Sequence, residues 1–361
     1  MNDLRSDGLH TIIDFSVKII APNPTNLIWL MPSTGSMELK PIVSAIRSFP
    51  GITRKNTIHE IVKLLPTNTF AHIAASEGED AAAIEHGDNY ILFAADGIME
   101  SLVAADPYLA GYYAVLVNVN DIAAMGGKPL AMVDVMSTQH DRICSRILRG
   151  MERAVQKFNV PIVGGHTHPD CSYQAVDISI IGTVPKTDLI RSDSAKAGDD
   201  VVFVMDLDGH FPDVIPYAWD TTTEKDDKLV QDQMDMMCVI AKEQLCHSAK
   251  DMSNPGCVGT LGMMLESSGK GAVVDMDRIP APKGVEYIQW ILAYQGCGFV
   301  FACPPENSQR IIDHFAEVGC AGAVVGKVTD GHKVILRSEG NEEVLFDFEK
   351  DIITGCSPTR K

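Results

Sequence analysis

The longest regular pattern of apolar positions covers residues 106–127, where apolar side chains recur at helical spacing. The positions in this stripe are Leu109, Tyr112, Leu116, Val119 and Ala123. Asp106 is a suitable N-cap, and Pro107 fits the first helical position, where a missing N–H costs no hydrogen bond. Gly126 and Gly127 end the pattern. The segment is therefore predicted to be one long helix with one face in the core.

Short apolar runs alternate with helical patterns along the rest of the chain. Strands are predicted near residues 70–74, 90–95, 130–136, 160–163 and 176–181, and, after a polar stretch at 191–199, near 201–205, 271–275, 297–303, 323–328 and 333–336. Further helices are predicted at 142–158, 230–247, 254–269 and 304–319. Asn254 is the predicted cap of the third of these, with Pro255 at its first position. This alternation of helices and strands predicts a mixed α/β (α+β) protein.

Three segments are predicted in the order of the chain. They are an extension at 1–36, an N-terminal domain at 37–192 and a C-terminal domain at 193–361. The extension is rich in proline and differs in composition from the rest of the chain, whereas a helical domain start begins naturally at Met37. We expect translation to begin at Met37, or residues 1–36 to form a loose arm.

Composition restricts the partners and the compartment. The net charge is −18, from 48 acidic against 30 basic residues, which argues against nucleic acid or an anionic membrane as the main partner. The nine cysteines are odd in number and contain no C-x-x-C pair, so a disulfide framework is not expected and a cytoplasmic location is predicted. No apolar run reaches the roughly 20 residues that span a bilayer.

Three isolated acids lie on adjoining predicted elements. Asp80 lies in an acidic loop, Asp96 follows an apolar strand, and Asp121 lies in the long helix, three residues after Asn118 on the same face. Carboxylates among glycine and alanine suit a hard cation, and Mg²⁺ on nucleotide phosphates takes one or two carboxylates together with phosphate oxygens and water. Each acid alone is equally consistent with a cap or a turn residue.

Two further segments are candidates for binding a ligand. In GGHTHPD (164–170), paired glycines allow close backbone approach to a ligand, and His166 and His168 can bind a metal or a phosphate. The alternative is a glycine turn with exposed histidines, and no cysteine-rich pattern supports zinc. Lys55, beside Arg54, is the best basic candidate for a phosphate partner, or else a solvated surface charge.

The order of motifs resembles the aminoimidazole ribonucleotide (AIR) synthetase-like superfamily. The matching segments are EDAAAI (79–84), AADGIME (94–100), NVNDIAAMGGKPL (118–130), VGGHT (163–167), AGDDVVF (197–203), DMSNPGCVGTLGMMLESSGKGA (251–272) and VFACPPEN (300–307). The resemblance implies a two-domain fold in which the N-terminal sheet pairs with that of a second subunit in a homodimer. It also implies that ATP and Mg²⁺ lie between the domains near the dimer interface.

The resemblance assigns roles to individual residues. Asp80, Asp96 and Asp121 match the metal-binding acids, and Asp251 matches the acid that opens the C-terminal helix motif. The positions that match the nucleotide site are Lys55, Asn118, Gly164, Gly165, His166 and Thr167. Of these, Lys55 and His166 are the implied catalytic residues, which offset phosphate charge.

Departures from the family pattern restrict the choice of subgroup within the superfamily. His166 stands where thiamine-monophosphate kinase has an acid, and residues 1–143 lack the cysteine of selenophosphate synthetase. Asn254-Pro255-Gly256 departs from the family's usual D-x-S-D-G-G, which implies a different C-terminal substrate side. The segments SFPGITRK (48–55), FAADGIME (93–100) and GGHTHPDCSYQAVDISIIGTV (164–184) resemble the AIR synthetase-related group called methanogenesis marker protein 2.

The resemblance implies an ATP- and Mg²⁺-dependent enzyme that hydrolyses ATP while activating an acceptor by phosphoryl transfer. The acceptor would be a small molecule or a protein, in methanogenesis cofactor or methyl-coenzyme M reductase maturation. Two alternatives stay open. One is an ATP-binding assembly subunit of a maturation complex, and the other is a small-molecule kinase similar to thiamine-monophosphate kinase.

Overall fold

A computed structural model describes residues 37–65 and 70–357 of the chain. Its helices are α1 (Leu39–Ser48), α2 (Pro50–Thr53), α3 (Asn56–Leu64), α4 (Glu100–Ala105), α5 (Pro107–Ala124), α6 (Asp141–Phe158), α7 (Asp227–Lys242), α8 (Gly256–Ser268), α9 (Tyr287–Leu292) and α10 (Ser308–Glu317). Its strands are β1 (Ile73–Ala75), β2 (Ala82–His86), β3 (Asn89–Gly97), β4 (Lys128–Ser137), β5 (Ile162–His168), β6 (Ala175–Pro185), β7 (Asp200–Met205), β8 (Ala218–Trp219), β9 (Ser248–Asp251), β10 (Gly271–Asp275), β11 (Tyr294–Gln295), β12 (Gly298–Cys303), β13 (Ala321–Thr329), β14 (Lys333–Ser338) and β15 (Asn341–Asp347). The predicted extension 1–36 lies outside the described residues.

The predicted long helix is confirmed as α5. The Asp106 side chain caps it by accepting hydrogen bonds from the backbone N–H groups of Tyr108 (3.0 Å) and Leu109 (3.3 Å). The helix is buried on more than the predicted face, because α4, α6 and the first sheet all pack around it. Tyr113 and Val115, which lie outside the predicted stripe, are buried as well.

Two glycines allow α5 and α6 to pack closely. A Cβ atom on Gly111 would lie 2.1 Å from the carbonyl oxygen of Ile147. A Cβ atom on Gly150 would lie 2.0 Å from the carbonyl oxygen of Tyr108. Any larger residue would force the helices apart, so this contact holds α5 in position against α6.

The first sheet has the strand order β1-β2-β3-β6-β4-β5 within the described ranges 37–65 and 70–357. The β4–β5 pair is parallel and the other pairs are antiparallel. Five of these strands were predicted; β2 was missed because its residues adjoin the acidic loop. One face of the sheet packs against α5, and the other exposes apolar side chains, including Phe93, Val135 and Ile181.

The second sheet has the order β15-β14-β10-β13-β7-β12-β9 in the part of the chain that the structure describes. Its central strands are buried on both faces. In β7, Val202 and Val204 belong to the core shared with the first half, while Val201, Phe203 and Met205 belong to a second core. Burial on both faces explains why residues 201–205 form a continuous apolar run instead of an alternating one.

The start of the described chain packs with the C-terminal half. Ile42 and Ile46 of α1 lie in the second core, together with Phe203 of β7. Arg47 donates hydrogen bonds to both carboxylate oxygens of Asp351 (2.8 and 2.7 Å) and to the carbonyl oxygen of Leu345 (2.6 Å). The domain boundary between residues 192 and 193 remains a prediction. Helix α1 lies before this boundary in the chain, but it packs in the core of the segment that follows it.

The beginning of α8 differs from the prediction. The helix begins at Gly256, with Pro255 at the N-cap position, and the Asn254 side chain does not cap it. Gly256 adopts a φ of +85°, so the chain turns sharply one residue after the predicted helix start. The predicted end is confirmed, because Gly269 is the C-cap in left-handed conformation. Among the described residues, no helix combines the length and apolar character that a bilayer span requires.

Candidate functional site

A cavity of about 440 Å³, which we call the principal cavity because the predicted acids line it, lies where elements of both sheets meet. Its wall includes Lys55 beside α3, Asp96 at the end of β3, Asp121 in α5 and Asp251 at the end of β9. Asp80, in the turn between β1 and β2, also lines it. The fold therefore brings Lys55 and Asp251, which are 196 positions apart in sequence, to the wall of one cavity.

Three carboxylates form a compact cluster in this cavity. One oxygen from each of Asp80, Asp121 and Asp251 lies within 4.8 Å of the other two. Asp96, which was predicted as a metal ligand, lines the same cavity but lies outside this group of three. Asp251 takes part instead, at the end of a strand that the apolar pattern did not predict. We call Asp80, Asp121 and Asp251 the carboxylate cluster.

The electrostatics of the carboxylate cluster favour a bound cation. Burial raises the pKa of Asp251 to about 8, and the charge of Asp80 adds to this shift. Burial and the neighbouring charge of Asp96 likewise raise the pKa of Asp121 well above its ordinary value. Oδ2 of Asp80 and Oδ1 of Asp251 are buried and accept no hydrogen bond from the described residues. Unpaired carboxylate oxygens in close proximity are the ligands that Mg²⁺ prefers, so these residues fit the implied metal.

Two lysines approach the carboxylate cluster. Lys55 is half-buried on the cavity wall, and burial and the charge of Lys250 lower its pKa. Lys250, in β9, is buried; its ammonium group forms an ion pair with Asp80 and donates to the carbonyl oxygen of Gly78 at 3.3 Å. Burial opposes its charge, but Asp80 and Asp251 outweigh burial and raise the pKa of Lys250. Sequence reasoning missed Lys250, although a lysine directly before Asp251 was a signal for it.

Another part of the cavity wall carries amide groups. The Asn120 side chain donates to the carbonyl oxygen of Gly296 at 3.3 Å, but its own oxygen has no donor within the described chain. Gln295 is buried with both its amide nitrogen and its oxygen unpaired in the described ranges, and the side-chain oxygen of Asn254 is likewise unpaired there. These groups can form hydrogen bonds with a polar ligand in the cavity.

The predicted segment Gly164–Thr167 lies elsewhere in this single chain. It belongs to β5, where His166 aligns across the sheet with Val135 of β4, Asp177 of β6 and Gly97 of β3. Strands in a sheet are about 4.8 Å apart, so His166 lies roughly 14 Å from the cavity-lining Gly97. The imidazole rings of His166 and His168 lie 4.6 Å apart on the exposed face of the sheet.

Asn118 also lies apart from the cavity wall. Its side chain is buried within the helix layer, and its amide nitrogen donates to the carbonyl oxygen of Ala114 at 2.8 Å. Asn120, two positions further along α5, lines the cavity instead. The difference arises because helical residues two apart point in different directions, so the rotation of α5 decides which amide reaches the cavity.

Cys356 lines the cavity near the end of the described chain. A Cβ atom on Gly78 would lie 2.9 Å from the Cβ of Cys356, so the acidic loop and the segment around Cys356 are tightly packed. Burial raises the pKa of the Cys356 thiol and of the Cys257 thiol, which disfavours the reactive thiolate.

Comparisons with known proteins agree with this architecture. The family model for the AIR synthase related protein N-terminal domain matches residues 78–184, and the model for its C-terminal domain matches residues 208–339. An uncharacterized protein of Methanocaldococcus jannaschii is 46% identical over 324 residues, which cover 89% of this chain and 100% of that relative.

Solved structures share the fold at low sequence identity. PurL of Thermotoga maritima, complexed with ATP, has a TM-score of 0.68 at 17% identity. The match covers 90% of this chain and 53% of PurL, so the chain spans about half of that protein. AaThiL, complexed with AMPPCP and TMP, has a TM-score of 0.61 at 20% identity over 80% of this chain and 96% of that chain. The predicted mixed α/β two-domain fold is confirmed, and the chain belongs to the AIR synthase related family.

Proposed function

We propose that this protein binds ATP with Mg²⁺ in the principal cavity and transfers the terminal phosphoryl group of ATP to an acceptor oxygen, with ADP as the leaving group. Later displacement of this phosphate from the activated acceptor makes the net reaction ATP hydrolysis. The observation that carries the proposal is the carboxylate cluster, with its unpaired oxygens, inside a cavity that also holds Lys55. Structural relatives that have been solved with ATP or AMPPCP support the choice of nucleotide.

The proposed chemistry rests on positioning and on charge neutralisation. Asp80, Asp121 and Asp251 would hold Mg²⁺, with Asp96 adding negative charge in the same cavity. When bound, Mg²⁺ would neutralise phosphate charge in the transition state. Lys55 would contact a phosphate group, since its flexible side chain lines the cavity and carries positive charge beside these acids.

We propose a homodimer in which the first sheet supplies the interface. The support is its exposed apolar face, where Phe93, Val135 and Ile181 are 46%, 41% and 39% exposed. His166 lies on this same face, in register with Val135. A second copy packed here would allow His166, Gly164, Gly165 and Thr167 of one subunit to serve the nucleotide site of the other.

The interface is tested by sedimentation velocity on the wild type and on Val135→Lys. We expect a dimer for the wild type and a monomer for Val135→Lys, because burying an unpaired ammonium in an apolar interface is unfavourable. Val344→Lys is the matched control, because Val344 is similarly exposed (44%) but lies in β15 of the second sheet. A wild-type monomer, or dissociation by both variants alike, would contradict the proposed interface.

A narrower proposal concerns the acceptor. The resemblance of residues 48–55, 93–100 and 164–184 to methanogenesis marker protein 2 supports an acceptor in methyl-coenzyme M reductase maturation. Deletion of the gene in a methanogen should then lower the fraction of active reductase without lowering its abundance. Full reductase activity in the deletion strain would remove this narrower proposal and leave the ATP site untouched.

A second candidate function is an ATP-binding assembly subunit. It is supported by the unusual Asn254-Pro255-Gly256 at the start of α8, where Asn254 lines the cavity. Phosphate release by the protein alone favours an enzyme, and release only with a partner complex favours the assembly role. The kinase alternative predicts ADP formation matched by a phosphorylated metabolite.

The nucleotide proposal is tested by calorimetric titration of ATP into the full chain, with and without Mg²⁺. We expect Mg²⁺-dependent binding of one ATP per chain, weakened in Asp96→Asn because this change removes a negative charge beside the carboxylate cluster. Asp235→Asn, an exposed position on α7, is the matched control and should bind as the wild type does. Absence of ATP binding in the folded wild-type protein would overturn the proposal.

A further inference from the structure

Lys250 is an unusual residue for the interior of a cavity. Its side chain is only 8% exposed, and its partner Asp80 is 6% exposed, so this ion pair is almost completely removed from water. The ammonium group contacts Oδ1 of Asp80 and the carbonyl oxygen of Gly78. A buried lysine persists when nearby carboxylates compensate the cost of removing its charge from water.

The charges around Lys250 do not balance. Six acidic side chains line the cavity, namely the three of the carboxylate cluster and Glu79, Asp96 and Asp220, whereas the basic side chains are three, Arg54, Lys55 and Lys250. The ion pair uses Oδ1 of Asp80, while Oδ2 of Asp80 and Oδ1 of Asp251 have no donor within the described residues. Acidic groups and open ligand positions therefore remain after Lys250 has taken its place.

The geometry leaves room for one further cation of higher charge. Two-metal sites hold their ions about 3.5–4 Å apart and use shared ligands to do so. Asp80 is placed to act as such a shared ligand, but one of its oxygens is already bound by the Lys250 ammonium. One oxygen from each of Asp80, Asp121 and Asp251 lies within 4.8 Å of the other two, which is close enough for the three carboxylates to share a single ion.

We propose that Lys250 is a built-in cation that occupies one side of the carboxylate cluster and limits it to a single divalent ion per chain. This inference rests on the proposed function, since it concerns the same cavity. The ammonium group of Lys250 takes the position that a second metal ion would occupy. Lys250 is thus a positioning residue, which holds Asp80 with its second oxygen directed toward the one remaining ion.

The test is Mn²⁺ binding to the full chain, measured by equilibrium dialysis and electron paramagnetic resonance, with and without AMPPCP. We expect one Mn²⁺ per chain in the wild type, with the spectrum of an isolated ion. Lys250→Met removes the charge at similar length, and we expect two Mn²⁺ per chain with a spectrum broadened by coupling between neighbouring ions. Lys250→Arg retains the charge and should bind one.

Lys228→Met, an exposed position on α7, is the control for removing a lysine charge elsewhere, and it should behave as the wild type does. Two coupled ions in the wild type, or one ion in both the wild type and Lys250→Met, would overturn the role of Lys250 alone. No Mn²⁺ binding by the wild type in either condition would overturn this role and the proposed metal site together. If Lys250→Met does not fold, the wild-type stoichiometry still tests the limit to one ion, because one Mn²⁺ per chain supports it and two coupled ions overturn it.

Discussion

Two buried lysines, Lys157 and Lys250, show how differently the same residue is used in this molecule. Lys157, at the end of α6, is fully buried, and its ammonium group lies 2.9 Å from Asp227 and also contacts the carbonyl oxygen of Lys225. Arg153 donates to both oxygens of the same Asp227 at 2.9 and 2.6 Å. This ionic cluster joins α6 of the first half to the start of α7 in the second.

The difference between the two sites lies in what is left unpaired. Around Lys157, both oxygens of Asp227 have donors, and the positive groups outnumber the single acid. Around Lys250, acids outnumber lysines, and buried oxygens of Asp80 and Asp251 have no donor in the described chain. The comparison teaches that a buried lysine whose carboxylate partner is fully hydrogen-bonded supports the fold, whereas unpaired buried carboxylate oxygens support the proposed binding site.

The largest expected effect concerns the carboxylate cluster, where a substitution should raise the stability of the ligand-free protein, whereas a substitution beside Lys157 should lower it. Asp121→Asn should lower the affinity of the protein for ATP in the presence of Mg²⁺ by about 100-fold or more, because it removes a proposed carboxylate ligand of the metal. The same change should raise the stability of the ligand-free protein, because it relieves repulsion among the buried acids. Calorimetric titration and urea denaturation measure the two quantities. A less stable ligand-free Asp121→Asn protein would contradict the idea that the carboxylate cluster is strained without a cation.

Asp227→Asn should have the opposite pattern. It leaves the fully buried ammonium of Lys157 without its carboxylate, and we expect a loss of about 2 kcal/mol in the free energy of unfolding. This figure lies below the usual range for buried pairs because Asp227 itself is 41% exposed and partly screened by solvent. Urea denaturation checks it, and ATP affinity should not change. Adding Lys157→Met to Asp227→Asn should recover part of the loss.

Gln295→Met should give a smaller, stabilising effect. Both polar atoms of the buried Gln295 amide lack partners within the described ranges. An apolar side chain of similar size should therefore raise the free energy of unfolding of the ligand-free protein by about 1 kcal/mol. Gln233→Met is the matched control, because the buried Gln233 amide donates to Asp206 (2.8 Å) and Val318 (3.1 Å); its loss should be destabilising. Equal destabilisation by both variants in thermal denaturation would show that Gln295 has no open hydrogen-bonding role.

The smallest expected effect is the loss, at acid pH, of the stability that Asp227 contributes. The hydrogen bonds from Arg153 and then Lys157 hold the pKa of Asp227 below its ordinary value. A carboxyl group whose pKa is lowered by folding adds stability above its unfolded value of about 4 and loses that stability as pH falls through the folded value. The difference in denaturation midpoint between wild type and Asp227→Asn should be constant from about pH 6 to 8 and shrink below about pH 4. A difference that grows in acid would refute this assignment.

The sequence predicted the elements of the site better than it predicted their assembly. The pattern around Asp121 indicated α5, its cap and its end, because these depend on local spacing and backbone preference. Strand β2 was missed, because its short alternation adjoins the acidic loop. Strand β9, which carries Lys250 and Asp251, was missed because it has no apolar pattern. Its residues are mostly polar, and contacts with distant parts of the chain bury them.

By itself, the sequence determined the family, the mixed α/β character and the identity of the acids available for a site, because these depend on composition and on spacing along the chain. Only the tertiary structure decided that Asp251 joins Asp80 and Asp121, that Lys250 lies beside them, and that Asn120 instead of Asn118 faces the cavity. The physical reason is that electrostatic contacts depend on distance in space. The rotation of a helix and the pairing of distant strands set that distance, and neither is encoded by neighbouring residues alone.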